Sequence, residues 1–224
     1  MSNYNGSINV QNRRVVLAGL GILLGGCANV NRELLPASGF NHVVDPRYGP
    51  ITDTGYQIPA LAFNEIDPDH LRRTVTYDSP YRPGTLVVDI PTRHLYLVQP
   101  RGQAVRYTIG VGREEALNFH GAAVIGRKEE WPSWTPTATM IKRMPPYAAY
   151  ASGRAGGIEN PLGARALYLY RGGQDTYFRI HGTNEPASIG TAVSSGCIRL
   201  LNHDVIDLYA RVPLGAPVTV VQSA

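Results

Sequence analysis

Turn formers punctuate this chain more than any other feature, with 24 glycines and 17 prolines in 224 residues. Together with 13 tyrosines and many valines and threonines, they predict short strands joined by many turns and argue against a helix bundle. The length allows one or two domains and a sizeable core. Hydrophobic residues are 43% and charged residues 17%, a globular balance. Lysine and arginine total 21 against 17 acids, a net charge of +4. With no Lys/Arg block, a nucleic-acid binder is disfavoured. No apolar run reaches the 18 or so residues of a membrane-spanning helix. Two cysteines build neither a disulfide framework nor a Cys-rich zinc site.

The N-terminus reads as an address. Arg13 and Arg14 precede an apolar stretch from Val15 to Leu24, about ten residues long and suited to a signal-peptide core. It ends in Leu24-Gly25-Gly26-Cys27, which resembles the bacterial lipobox, where the cysteine is acylated and becomes the new N-terminus. The expectation is a signal peptide over 1–27, lipidation at Cys27 and an exported, periplasmic, membrane-anchored lipoprotein. A plain secretory signal is the alternative, and the paired arginines leave the export route open.

Residues 28–84 are irregular and rich in proline, and read as an extended arm or tether. Phe40, Tyr48, Tyr56 and Phe63 are too many aromatics for a pure linker, so part of the arm is expected to pack on the domain. Asp67 is placed to cap a short helix through Leu71 to Arg73. Strand signals begin at Thr85. Leu86–Ile90 and His94–Val98 flank a turn as a hairpin, and Gln103–Val111 alternates as a half-buried strand. Ala122–Arg127, Ala166–Tyr170, Tyr177–Ile180 and Pro217–Val221 complete the strand set. Asn202 is placed to cap a helix carrying Val205, Ile206, Leu208 and Tyr209. Residues 130–163, rich in Pro, Trp and Gly, fit no regular element, and a loop that long is usually functional. The reading is one mainly β domain over 85–222, with one late helix and a long irregular loop.

If Cys27 carries lipid, Cys197 is the remaining thiol in an oxidising compartment, where an unpaired cysteine is either buried or reactive. Ser194-Ser195-Gly196 precede it, and Gly196 allows a close backbone approach to a bound group. His181 ends a strand-like run and is placed to take the thiol proton and hold the thiolate as an ion pair. No acid stands out to orient the imidazole, which leaves a backbone carbonyl. Against this, an isolated cysteine is more often an inert core residue and an isolated histidine more often structural. No His-x-x-x-His or Cys-x-x-Cys pair is present, which disfavours a zinc hydrolase. No Gly-x-Ser-x-Gly elbow is present either.

The run Ile180-His181-Gly182-Thr183-Asn184, followed by Ser194-Ser195-Gly196-Cys197-Ile198-Arg199-Leu200, resembles the signature of L,D-transpeptidases, the YkuD domain. Asn160-Pro161-Leu162-Gly163 and the opening hairpin resemble that family too. Many members have His where this chain has Ser195, and Thr-Pro-x-Gly where it has Asn118-Phe119-His120-Gly121. The resemblance implies a curved mixed β-sandwich and an enzyme that needs no metal or organic cofactor. Its substrate would be the peptidoglycan stem peptide, cut between the diamino acid at position three and the terminal D-alanine. Carried onto this chain, Cys197 is the nucleophile, His181 the base and then the acid, and the Gly182 carbonyl the orienting group. Ser194, Ser195, Gly196, Asn184 and Arg199 belong to the substrate or oxyanion site, with Arg199 either meeting a substrate carboxylate or fixing the loop by a salt bridge. The acceptor is an amine of a second stem or of an outer-membrane protein. Water as acceptor would make a carboxypeptidase or other hydrolase, and a non-catalytic wall-binding module is the remaining alternative. Trp131, Trp134, Met140, Met144 and Tyr147 form either a lid over the groove or an aromatic cover on the sheet.

Overall fold

The computed structural model describes residues 45–61, 67–114, 118–194 and 196–221. The expected signal peptide, Cys27, Phe40, Phe63 and Ser195 lie outside the described residues. In chain order the strands are β1 (Ile51–Asp53), β2 (Tyr56–Ile58), β3 (Arg73–Thr76), β4 (Leu86–Asp89), β5 (His94–Gln99), β6 (Gln103–Thr108), β7 (Val111–Gly112) and β8 (Gly121–Glu130). Helix α1 (Ala138–Arg143) follows, then β9 (Arg165–Arg171), β10 (Gln174–His181), β11 (Ala192–Ser194), β12 (Ile198–Arg199), helix α2 (Asn202–Arg211) and β13 (Pro217–Val221). Nine strands form one mixed sheet in the order β12-β10-β9-β8-β13-β4-β5-β6-β3.

The expected hairpin pairs Leu86 with Leu97 and Asp89 with His94. The closing strand β13 enters the middle of the sheet, parallel to β4 and antiparallel to β8. Beside it β4 buries Leu86, Val87 and Val88 in succession, while β13 itself alternates, with Val218 and Val220 buried. The core gathers Leu86, Leu95, Ile125, Leu167, Leu169 and Ile180 under the Val205 and Leu208 side of α2. Each such side chain contributes about 1.5–3 kcal/mol through burial.

Three expectations change. The strand expected over 103–111 breaks after Thr108, because Gly110 leaves the hairpin and exchanges both backbone hydrogen bonds with Arg199, at 2.9 Å each. β7 then pairs with β11 instead of continuing β6. The segment 130–163 is not wholly irregular: Thr137 caps α1 through the Met140 N–H, and a 3-10 turn spans Pro145–Tyr150. The short helix expected beyond Asp67 is a 3-10 turn over Pro68–His70, and Arg73 already belongs to β3.

The described part of the arm packs on the domain. β3 adds to the sheet edge beside β6, and Tyr48, Leu61 and Leu71 form a buried cluster with Ile189 and Leu201. The Tyr48 hydroxyl donates to Asp204 Oδ1 at 2.7 Å, and Arg72 reaches the same oxygen at 2.9 Å. Asp53, at the end of β1, accepts from both Arg165 guanidinium nitrogens and from Trp131 Nε1. Among the described residues no helix is long and apolar enough to cross a membrane.

Candidate active site

β10 and β12 run parallel, with Ile180 opposite Ile198 and His181 opposite Arg199. Ile180 and Ile198 are both buried in the core. Strand alternation therefore turns His181 and Arg199 to the other face. One step back, the same register sets Cys197 beside Arg179, whose backbone hydrogen-bonds the thiol. Cys197 and His181 are thus diagonal neighbours on one face of adjacent chains.

His181 Nδ1 lies 2.6 Å from the Gly182 carbonyl oxygen. A carbonyl only accepts, so Nδ1 carries the proton and Nε2 keeps its lone pair, the tautomer a general base requires. The Gly182 backbone is itself clamped. A Cβ there would sit 2.3 Å from Asn202 Oδ1 and 3.0 Å from the Ala164 nitrogen. Asn202 Oδ1 accepts from the Ala164 N–H at 3.0 Å and the Thr183 N–H at 3.2 Å. The helix-cap role expected of Asn202 is therefore wrong: Leu201 is the N-cap residue and makes no side-chain cap. The carboxamide is used where two loops cross beside the histidine.

Ser194 closes the turn before the thiol. Its hydroxyl accepts from the Gly196 N–H at 3.1 Å and donates to the Cys197 carbonyl at 2.8 Å. Gly196 has φ 120°, a conformation that side chains disfavour. The Gly196 amide expected to face an oxyanion is thus engaged by Ser194. β7 backs this turn, with Arg113 N–H donating to the Ser194 carbonyl at 3.0 Å and Gly112 N–H to Asn118 Oδ1 at 2.8 Å. Asn118 thereby organises the segment where the family's usual proline is missing.

Burial, reinforced by the Arg199 charge, pushes His181 down to about 3, against the weaker opposing pull of the Gly182 carbonyl. Burial also pushes the Cys197 thiol up, offset in part by the Arg179 backbone and by the Arg179 and Arg199 charges. Desolvation opposes both charges of the expected thiolate–imidazolium ion pair, while the neighbouring cations favour the thiolate and oppose the imidazolium.

Arg199 pairs with Glu185 Oε2 at 2.9 Å and also lines a groove of about 380 Å³ with Ser194 and Val193. The far wall of that groove is Met140, Arg143, Met144 and Tyr147 from the 130–163 segment, with Arg113 and Glu114 from the end of β7. The two readings of the long loop divide by residue. Trp131 and Trp134 are buried, Trp134 edge-on against Tyr147 at 5.1 Å, while Met140, Met144 and Tyr147 face the groove. Asn184 does not join them: its Nδ2 donates to the Glu159 carbonyl at 3.3 Å, and it lines a separate hollow with Ile58 and Leu201.

Asn160 gives the Asn-Pro-Leu-Gly run a structural purpose. It is buried, its Nδ2 lies within 3.2 Å of the carbonyls of Pro132, Arg154 and Ala155, and its Oδ1 accepts from the Leu162 N–H. One carboxamide fixes both ends of the groove-forming loop. Among the described residues no group of three His, Cys, Asp or Glu could hold a metal ion.

The YkuD family model, described as the L,D-transpeptidase catalytic domain, matches residues 83–220. A probable L,D-transpeptidase ErfK/SrfK of Escherichia coli is 35% identical over 144 residues, covering 61% of this chain and 43% of that protein. A putative L,D-transpeptidase of Fuscovulum blasticum is 35% identical over 146 residues, covering 65% of this chain and 72% of that protein. A solved structure from Brucella melitensis, titled a probable carnitine operon oxidoreductase, is 50% identical, with a TM-score of 0.48 over 67% of this chain and 92% of its own.

Proposed function

Because the chain belongs to the L,D-transpeptidase family of the YkuD catalytic domain, we propose that it is a cysteine acyltransferase acting on peptidoglycan stem peptides. The observation that carries the proposal is the shared face of His181 and Cys197, with Nδ1 held by the Gly182 carbonyl and Nε2 open to a proton.

Because burial disfavours both charges, thiol attack and proton transfer are coupled in this reading. Cys197 Sγ adds to the carbonyl between the diamino acid and D-alanine as His181 Nε2 takes the thiol proton. The Cys197 N–H is the amide offered to the oxyanion, and Gly196 joins it if Ser194 releases its N–H. Collapse breaks the C–N bond, the imidazolium returns its proton to the departing amine, and D-alanine leaves behind a thioester. An acceptor amine then attacks, loses its proton to His181 and frees the thiol. The acceptor is an amine of a second stem or of an envelope protein.

This chemistry requires export, and Leu24-Gly25-Gly26-Cys27 supports a lipid anchor at Cys27. Fatty-acid labelling of the chain in cells, lost in Cys27→Ser, is the expected result; equal labelling of the two sinks the anchor.

Function is tested by incubating the protein with tetrapeptide stems, with and without an amine acceptor, and reading products by mass spectrometry. Released D-alanine with a joined product, absent in Cys197→Ala, is expected. Released D-alanine with no joined product under every acceptor makes the protein a hydrolase. No release at all rejects the enzyme.

A further inference from the structure

Resting on that reading, we infer that Asn202 is a positioning residue for catalysis, holding His181 in its working tautomer through the Gly182–Thr183 peptide. A peptide bond is a rigid plane, almost always with its carbonyl and its N–H on opposite sides. At the carbonyl end, Gly182 O lies 2.6 Å from His181 Nδ1. At the N–H end, Thr183 donates to Asn202 Oδ1 at 3.2 Å. One plane therefore joins the carboxamide to the imidazole, and neither end turns without the other. A hydrogen bond from the N–H also polarises the amide and makes its carbonyl a better acceptor. The orienting task that an acid performs in a Ser-His-Asp triad falls here to a peptide and the carboxamide behind it.

The surroundings leave that plane few alternatives. Gly182 N–H donates to the Arg165 carbonyl at 3.0 Å, and Leu200 N–H donates to the His181 carbonyl at 2.8 Å. Asn202 Oδ1 also accepts from the Ala164 N–H at 3.0 Å, which ties the end of the groove-forming loop to the same point. A Cβ added at Gly163 would collide with Asn202 Oδ1 and come within 2.5 Å of the Thr183 nitrogen. Gly163 also has φ 62°, so the Asn-Pro-Leu-Gly run ends in glycine both for its backbone conformation and for room beside the carboxamide. Asn202 itself stands on a fixed base. Leu201 is buried with Tyr48, Leu61 and Leu71 of the arm, His203 Nε2 lies 2.8 Å from the Gly49 carbonyl oxygen, and Asp204 accepts from the Tyr48 hydroxyl. The residues on both sides of Asn202 hold the arm, and Asn202 holds the histidine loop.

The test compares the full wild-type chain with Asn202→Ala, Asn202→Ser and Asn202→Asp. Aspartate keeps an oxygen that accepts both N–H groups, alanine removes it, and serine leaves room for water to satisfy the two amides without setting the plane. The first readout is the nitrogen NMR signal of the His181 ring at neutral pH, which separates the two tautomers. Wild type and Asn202→Asp are expected to keep the proton on Nδ1, and Asn202→Ala and Asn202→Ser to divide it between the two nitrogens. The second readout is steady-state kinetics on tetrapeptide stems. In the alanine and serine variants kcat should fall by about tenfold to a hundredfold while KM stays within about twofold of wild type. Asn202→Asp should recover most of that loss. A lower melting temperature with the Nδ1 proton retained in both the alanine and serine variants makes Asn202 a structural pin only and overturns the inference. So does a kcat within about twofold of wild type in either variant, or an aspartate variant as slow as the alanine one. The serine variant decides if the alanine variant does not fold. Failure of the enzymatic reading shows separately, as a wild-type chain that never releases D-alanine, and the ring signals then decide the role of Asn202 by themselves.

Discussion

At the scale of residues, burial works against charge on both members of the pair. Cys197 is pushed up and His181 pushed down, each mainly by burial. A preformed ion pair would show a thiolate across the acid and neutral range, and alkylation by iodoacetamide would be flat between about pH 5 and 8. Here the alkylation rate should climb with pH by close to tenfold per unit through pH 8, with no plateau below the ordinary thiol value of 9.0. A plateau at pH 5–7, removed by His181→Gln, would overturn that expectation. Ser194 supplies a second prediction. Its hydroxyl holds both the Gly196 N–H and the Cys197 carbonyl. Ser194→Ala leaves both unmatched, a loss of about 1–3 kcal/mol per buried group. The expected result is a lower thermal midpoint together with a lower turnover number, because the thiol is carried on the turn that loosens. Cys197, His181 and the Gly182 contact were legible because they sit in one contiguous pattern of residue types. Asn202 was not, because its partners Ala164 and Thr183 come from loops that meet only after β9 and β10 have paired. An asparagine at a helix start looks the same in sequence whether it caps that helix or ties two loops.

At the scale of elements, local alternation revealed most of the sheet, and long-range pairing decided the rest. The hairpin of β4 and β5 follows from Leu86–Ile90 and His94–Val98 with a turn between them. The break after Thr108 does not, since it depends on Arg199 offering Gly110 a partner some ninety residues later. Helix α2 carries the sharpest consequence. Asp204, in its first turn, is fully buried, with Oδ1 held by Tyr48 and Arg72 and Oδ2 without a hydrogen-bond partner among the described residues. Burial pushes its carboxyl up from 3.8 to about 6, against the pull of Tyr48 and Arg72. A carboxyl raised in the folded state favours folding below its unfolded value and loses that contribution as pH rises through the folded value. Relative to Asp204→Asn, the wild-type protein should therefore lose stability between about pH 4 and 7, on the order of 3 kcal/mol in all. Chemical unfolding of the two proteins across that range measures the difference. A constant difference, or one of opposite slope, rejects the assignment.

At the scale of the whole molecule, the described part of the arm packs into the domain although the family match begins only at residue 83. The spacer between His181 and Cys197 has little structure of its own beyond a 3-10 turn at Pro186–Ser188 and the short β11. It is steadied from outside. Ile189 in the spacer and Leu201 at the start of α2 are buried against Tyr48, Leu61 and Leu71 of the arm. The imidazole of His70 also lies against Gly190, where an added Cβ would be 2.4 Å from the ring. A chain begun at Thr85 loses these contacts together. Asp204 then loses Tyr48 and Arg72, the two groups that hold its Oδ1. Three apolar side chains leave the cluster, at about 1.5–3 kcal/mol each. β6 becomes an exposed sheet edge open to pairing with other chains. Set against a typical domain stability of about 5–15 kcal/mol, that loss is enough to abolish cooperative folding. The fragment from Thr85 should show no sharp thermal transition and should aggregate, while a chain begun at Asp45 melts cooperatively and retains the stem-peptide reaction. If the Thr85 fragment melts within a few degrees of the longer chain and turns over stems at the same rate, the arm contributes neither to the fold nor to the placement of Cys197.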